Sequence, residues 1–82
     1  MAHERISIDP GVMVGKPCIK GTRITVEHIL RLLAGGMSPE DIAAGHPRLT
    51  FEDMTAAQAY AADVLALPSV RQYLSGMHAT VG

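Results

Sequence analysis

Three helix-start signals fall between residues 25 and 50, and they confine this chain to short helices. Thr25 and Thr50 each stand directly ahead of a run with helical apolar spacing. Ser38-Pro39 joins a capping hydroxyl to a proline at the first helical position, where its missing N–H costs nothing. A capping oxygen accepts from a backbone N–H that the helix leaves free, worth about 1 kcal/mol. Stop signals are equally regular. Gly35-Gly36 closes the first run, Gly45-His46-Pro47 the second, and Pro68 bounds the third. Glycine accepts the left-handed conformation that ends a helix. The residue before a proline is pushed out of the helical region, so His46 is expected to be non-helical.

Within these limits the apolar residues fall on single faces. Val26, Ile29, Leu30 and Leu33 follow the i, i+3, i+4, i+7 pattern, with Glu27, His28 and Arg31 on the other faces. Ile42 is the main apolar residue of the second helix, beside the small Ala43 and Ala44. Glu40 and Asp41 occupy its first turn, where the helix dipole favours negative charge. In the third helix, predicted over about 51–65, Asp53 stands three residues after Thr50 and is close to a capping box. Leu49 is placed to staple onto Met54. Met54, Ala57, Ala61, Val64 and Leu65 form the expected buried stripe. The core should therefore close around Ile29, Leu33, Ile42, Met54 and Ala61.

Ahead of the helices the period shortens to two. Ile6 and Ile8 alternate with polar residues, Asp9-Pro10-Gly11 is a turn signal, and Val12 and Val14 alternate again. The pattern predicts a hairpin over residues 5–14. Cys18-Ile19 is a further short extended piece, and Gly21 turns the chain into Thr22-Arg23-Ile24. The expected organisation is a β-hairpin and turn region over 1–24, a three-helix helix-turn-helix unit over 25–65, and a tail over 66–82. The tail carries Val70, Tyr73 and Leu74 at i, i+3, i+4, as a short helix or a segment that orders on a partner. The extreme end, 79–82, is expected to fray.

Composition narrows the functional classes. The 82 residues make a single domain, mainly α with short N-terminal strands, because Ala and Leu rather than aromatics (4%) carry the apolar content. One cysteine excludes an internal disulfide, so self-association is the expected extra source of stability, with a homodimer as the default. No apolar stretch nears the roughly 18 residues that cross a bilayer. The start has no apolar leader pattern, and the expectation is a cytoplasmic protein. Net charge is −1 but uneven. Residues 1–31 hold five Lys and Arg against three Asp and Glu, whereas residues 32–82 hold two against five. An anionic partner should meet the first half.

Lys16, Lys20 and Arg23 lie close together among Gly15, Pro17 and Gly21, where a phosphate backbone can be approached closely. A solvated loop would show the same residues. Arg48 adds a cation ahead of the third helix, and Gln58 is that helix's one good base-reading side chain. Glu52 and Asp53 would repel phosphates, and a plain helical bundle with acidic caps accounts for them. The order of Gly and Lys does not match a Walker loop. His3, His28, His46, His78 and Cys18 show no metal-ligand spacing, so no metal or cofactor is expected. Cys18 reads as a small buried apolar residue. No nucleophile stands beside a base, and an enzyme is the least expected class.

The segment Gly15-Lys16-Pro17-Cys18-Ile19-Lys20-Gly21-Thr22-Arg23-Ile24, preceded by Ile8-Asp9-Pro10, resembles a widespread family of small bacterial and archaeal proteins known as a domain of unknown function. Gly36-Met37-Ser38-Pro39-Glu40-Asp41-Ile42, Pro47 to Met54, and Ala56 to Ala61 fit the same pattern, so the likeness spans about residues 5–65. Members resemble VapB-type antitoxins with a homeodomain-like helix-turn-helix. The resemblance implies a homodimer that binds operator DNA, represses its own operon and caps a PIN-like ribonuclease toxin. Lys16, Lys20, Arg23, Arg48 and Gln58 are assigned to DNA by charge and chemistry, not by the resemblance. The alternative is an interaction module that binds no DNA and docks a partner through Val70, Tyr73 and Leu74.

Overall fold

The computed structural model describes residues 3–81, and side-chain surroundings for residues 3–76. Four helices follow a short antiparallel sheet: β1 (Ile6–Ser7), β2 (Cys18–Ile19), α1 (Val26–Ala34), α2 (Pro39–Gly45), α3 (Phe51–Leu65) and α4 (Pro68–Val81). Among the described residues no helix is long and apolar enough to cross a membrane.

The three helix starts marked in the sequence, those of α1, α2 and α3, are built as their capping residues dictate. Thr25 accepts from the His28 N–H at 3.0 Å, and Ser38 from Asp41 at 3.1 Å. Thr50 and Asp53 form a reciprocal box, each side chain accepting from the other's backbone N–H. Gly36 ends α1 with φ 94°, a left-handed value that a residue with a Cβ adopts only with strain. His46 caps α2 in a non-helical conformation, as expected ahead of Pro47.

The core gathers Ile19, Val26, Ile29, Ile42, Leu49, Met54 and Ala57. Ile29 and Ile42 are fully buried, so α1 and α2 meet α3 through β-branched side chains. Leu33 is only half-buried against this cluster, and so is Ala61 at its level of α3. Leu65, expected in the stripe, is exposed, because α3 runs on past the end of the core. Cys18 is buried, its Sγ 3.3 Å from the Lys16 carbonyl.

Two expectations are corrected. Residues 12–14 do not pair with 6–8. Instead Ile6 pairs with Ile19 and Ser7 with Cys18. Residues Met13–Gly15 form a tight left-handed turn with φ values of 50°, 58° and 79°, and Val14 is 94% exposed. Two alternating valines are too short a pattern to specify a strand, whereas Ile19 supplies a side chain that the core buries. The second correction is the helix count: the tail from Pro68 is α4, in contact with α3. The radius of gyration, 14.2 Å, exceeds the value near 12 Å expected of a compact chain this long. The fraying expected at 79–82 lies outside the residues with described side chains, and so does the side chain of His78.

Candidate nucleic-acid interface

The loop joining β2 to α1 is a tight, self-bonded turn that holds its cations outward. Ile19 N–H donates to the Ile24 carbonyl at 2.9 Å, and Val26 N–H to that of Pro17 at 2.9 Å. Thr22 Oγ1 donates to the Ile19 carbonyl at 2.8 Å and accepts from Ile24 N–H at 3.0 Å. Gly21 takes φ 80°, which allows so sharp a reversal. Lys20 and Arg23, on either side of Gly21 and Thr22, are therefore exposed on a stiff support.

Arg48 comes to the same place from the α2–α3 turn. Its Nη2 donates to the Gly21 carbonyl at 2.9 Å, across 27 residues of sequence. Three adjoining depressions then share their walls. Lys20, Thr22 and Arg48 line the first, Gly21, Arg23 and Arg48 the second, and Arg23, Lys16, His28, Arg31 and His46 the third. The cations of the loop, the α2–α3 turn and α1 thus form a band that carboxylates interrupt: Glu4 and Asp53 line the first depression, Asp9 the second and Glu27 the third.

Lys16 is less free than its sequence position implied. Its Nζ lies 3.2 Å from Glu27 Oε1, and Arg31 Nη2 lies 3.1 Å from Glu27 Oε2. Hydrogen bonds from Lys16 first, then from Arg31, hold the Glu27 carboxyl below its ordinary value of 4.5. Gln58 is exposed on α3 but lines none of these depressions, so it stands apart from the band. Arg31, His28 and His46 join the band without having been singled out in the sequence. Arg31 could have been found, since Glu27 and Arg31 form an i, i+4 pair. The two histidines could not, because only packing brings residues 28 and 46 together. Among the described residues no group of three His, Cys, Asp or Glu is placed to hold a metal ion.

Asp53 does not add a free negative charge beside Arg48. It is 6% exposed, and its two oxygens are taken by Thr50 N–H and by Arg5 Nη1, each at 3.0 Å. Glu52 remains exposed.

A second surface is apolar. A groove of about 500 Å³ runs between α1 and the far half of α3, lined by Pro17, Leu30, Ala34, Tyr60, Val64 and Leu65 among others. Beyond it, α4 leaves Tyr73 69% and Leu74 41% exposed, with Val70 half-buried. Here His3 Nε2 approaches Asp63 Oδ2 to 2.8 Å, a close polar contact rather than an aligned hydrogen bond. The His3 ring also meets Tyr60 edge to face, with centroids 5.1 Å apart.

The class these features define is a small helical domain with a cationic band and an apolar groove that adjoin at Glu27 and Arg31. Comparison with known proteins gives the family. The model of DUF433, a protein family of unknown function, matches residues 6–61, and the chain belongs to this family. A crystal structure of a DUF433 member from Anabaena variabilis is similar, with 30% identity and a TM-score of 0.71, covering 87% of this chain and 68% of that one. No curated protein matches the chain.

Proposed function

We propose that this chain is an antitoxin-like, DNA-binding protein of a type II toxin–antitoxin system, acting as a homodimer that binds operator DNA and neutralises a PIN-like ribonuclease toxin. The observation that carries the DNA-binding half is the grouping of Lys20, Arg23 and Arg48 around the Gly21 turn, with Lys16 beside them. A phosphate backbone is a line of negative charge, and a line of cations on a rigid loop meets it without first having to be ordered. The acidic start of α3 opposes this reading less than its sequence implied, since the Asp53 carboxylate is buried and engaged. Phosphate contacts would fix the docking, and Gln58 on the homeodomain-like third helix would read bases.

The test is a salt series with operator duplex. Lys20→Ala with Arg23→Ala should lower affinity at low salt and reduce the slope of log K against log salt by roughly one for each cation lost. Affinity and slope equal to those of the unaltered protein would remove both residues from the interface.

A second reading rests on α4, whose exposed Tyr73 and Leu74 follow the half-buried Val70 at i+3 and i+4. In this reading the chain is an interaction module, and Val70, Tyr73 and Leu74 dock a partner protein such as the toxin. Tyr73→Ser with Leu74→Ser should then abolish co-purification with the product of an adjacent toxin gene and leave duplex binding unchanged. Because the band and the α4 stripe use different residues, one dimer can serve both roles.

A further inference from the structure

The third depression of the band has a chemistry of its own. It measures about 420 Å³ and is bounded by the start of α1, the end of α2 and the loop before α1. Lys16, Arg23 and Arg31 face it as permanent cations, and Glu27 is the one carboxylate in its wall. That carboxylate is already matched by Lys16 and Arg31. Two titratable rings complete the wall, His28 from α1 and His46 from the end of α2, with centroids 5.7 Å apart. His46 Nδ1 lies 3.1 Å from the Ile42 carbonyl, which can only accept. Nδ1 therefore donates to that carbonyl. Thr25 adds a hydroxyl to the same wall. A divalent metal would meet three cations here, whereas a tetrahedral oxyanion would meet several donors and a favourable field.

We propose that this depression is a phosphate-binding site in which Arg23, His28 and His46 supply N–H donors beside the paired Lys16 and Arg31. It deepens the DNA-binding reading and rests on it where the phosphate belongs to duplex DNA; free inorganic phosphate is the other source of the same chemistry.

The experiment uses the full chain, labelled for ring and amide NMR, with a 20-base-pair duplex in one arm and inorganic phosphate in the other. Duplex addition should shift the rings of His28 and His46 and the amide of Thr25. His28→Ala with His46→Ala should weaken binding in both arms about fivefold, the loss of donors at a partly exposed contact. A circular-dichroism melt matching that of the unaltered protein checks that the double variant folds. Duplex binding that shifts only residues near Lys20 and Arg48, with unchanged affinity in the double variant, overturns the site but leaves the DNA-binding reading standing. Phosphate shifting the pocket with no duplex binding supports the site and overturns the DNA-binding reading. Silence of both rings in both arms overturns the site.

Discussion

Asp53→Ala should destabilise this domain more than its place in a helix cap would by itself. The carboxylate accepts from Thr50 N–H through Oδ2 and from Arg5 Nη1 through Oδ1, each at 3.0 Å, and the residue is 6% exposed. Loss of its half of the capping box costs about 1 kcal/mol. The Arg5 pair adds about 0.5–1 kcal/mol, held down because the Arg5 side chain is half in solvent and can rehydrate. Together these give about 2 kcal/mol, or about 8–16 °C in Tm for a domain of this size. Asp53→Asn keeps an acceptor for Thr50 and loses the charge, so it should fall about midway. The assay is urea denaturation of Asp53→Ala, Arg5→Ala and the double variant, with Glu52→Ala as an exposed control within about 0.5 kcal/mol of the unaltered protein. A coupling of about 0.5–1 kcal/mol is expected between positions 5 and 53. A drop for Asp53→Ala no larger than the control's, or additive single variants, would refute the claim that this carboxylate ties the N-terminal segment to α3.

Three further outcomes follow from the same coordinates. Ile42→Ala empties the contact at the centre of the core, where Ile42 is fully buried, and should cost about 2–5 kcal/mol in urea melts, leaving a chain this small close to unfolding. Val14→Gly should raise Tm by several degrees, since a β-branched residue at φ 58° carries about 1–2 kcal/mol of strain and 94% exposure means little packing is lost; an unchanged or lower Tm counts against strain at this turn. Glu27 should titrate below 4.5 by carboxyl NMR. Its folded value is depressed, so its contribution to stability is present above the unfolded value near 4.5 and is lost as pH falls through the folded one. Glu27→Gln should flatten that acid limb, and a midpoint at or above 4.5 would contradict the paired geometry.

Local rules were enough to read the helical half of this protein from its residues. Thr25, Ser38-Pro39, Thr50, Gly35-Gly36 and Pro47 each act within one turn of the backbone, so the starts and stops of α1, α2 and α3 could be placed before any packing was known. Ile29, Ile42 and Met54 were equally legible, because a helix puts residues of fixed spacing on one face. The cations of the loop before α1 were visible as residue types. Their arrangement was not. Pairing between β1 and β2 joins residues 11 and 13 positions apart, and the competing pattern at Val12 and Val14 lost because Ile19 offered side-chain burial that no local signal records. Arg48 on the Gly21 carbonyl, Arg5 on Asp53, and His28 beside His46 depend on the packing of distant segments, and their sequence separations carry no periodicity. Short-range hydrogen bonding and helical spacing are written along the chain, whereas the band of charge and the groove beside it exist only once the core around Ile29 and Ile42 has closed.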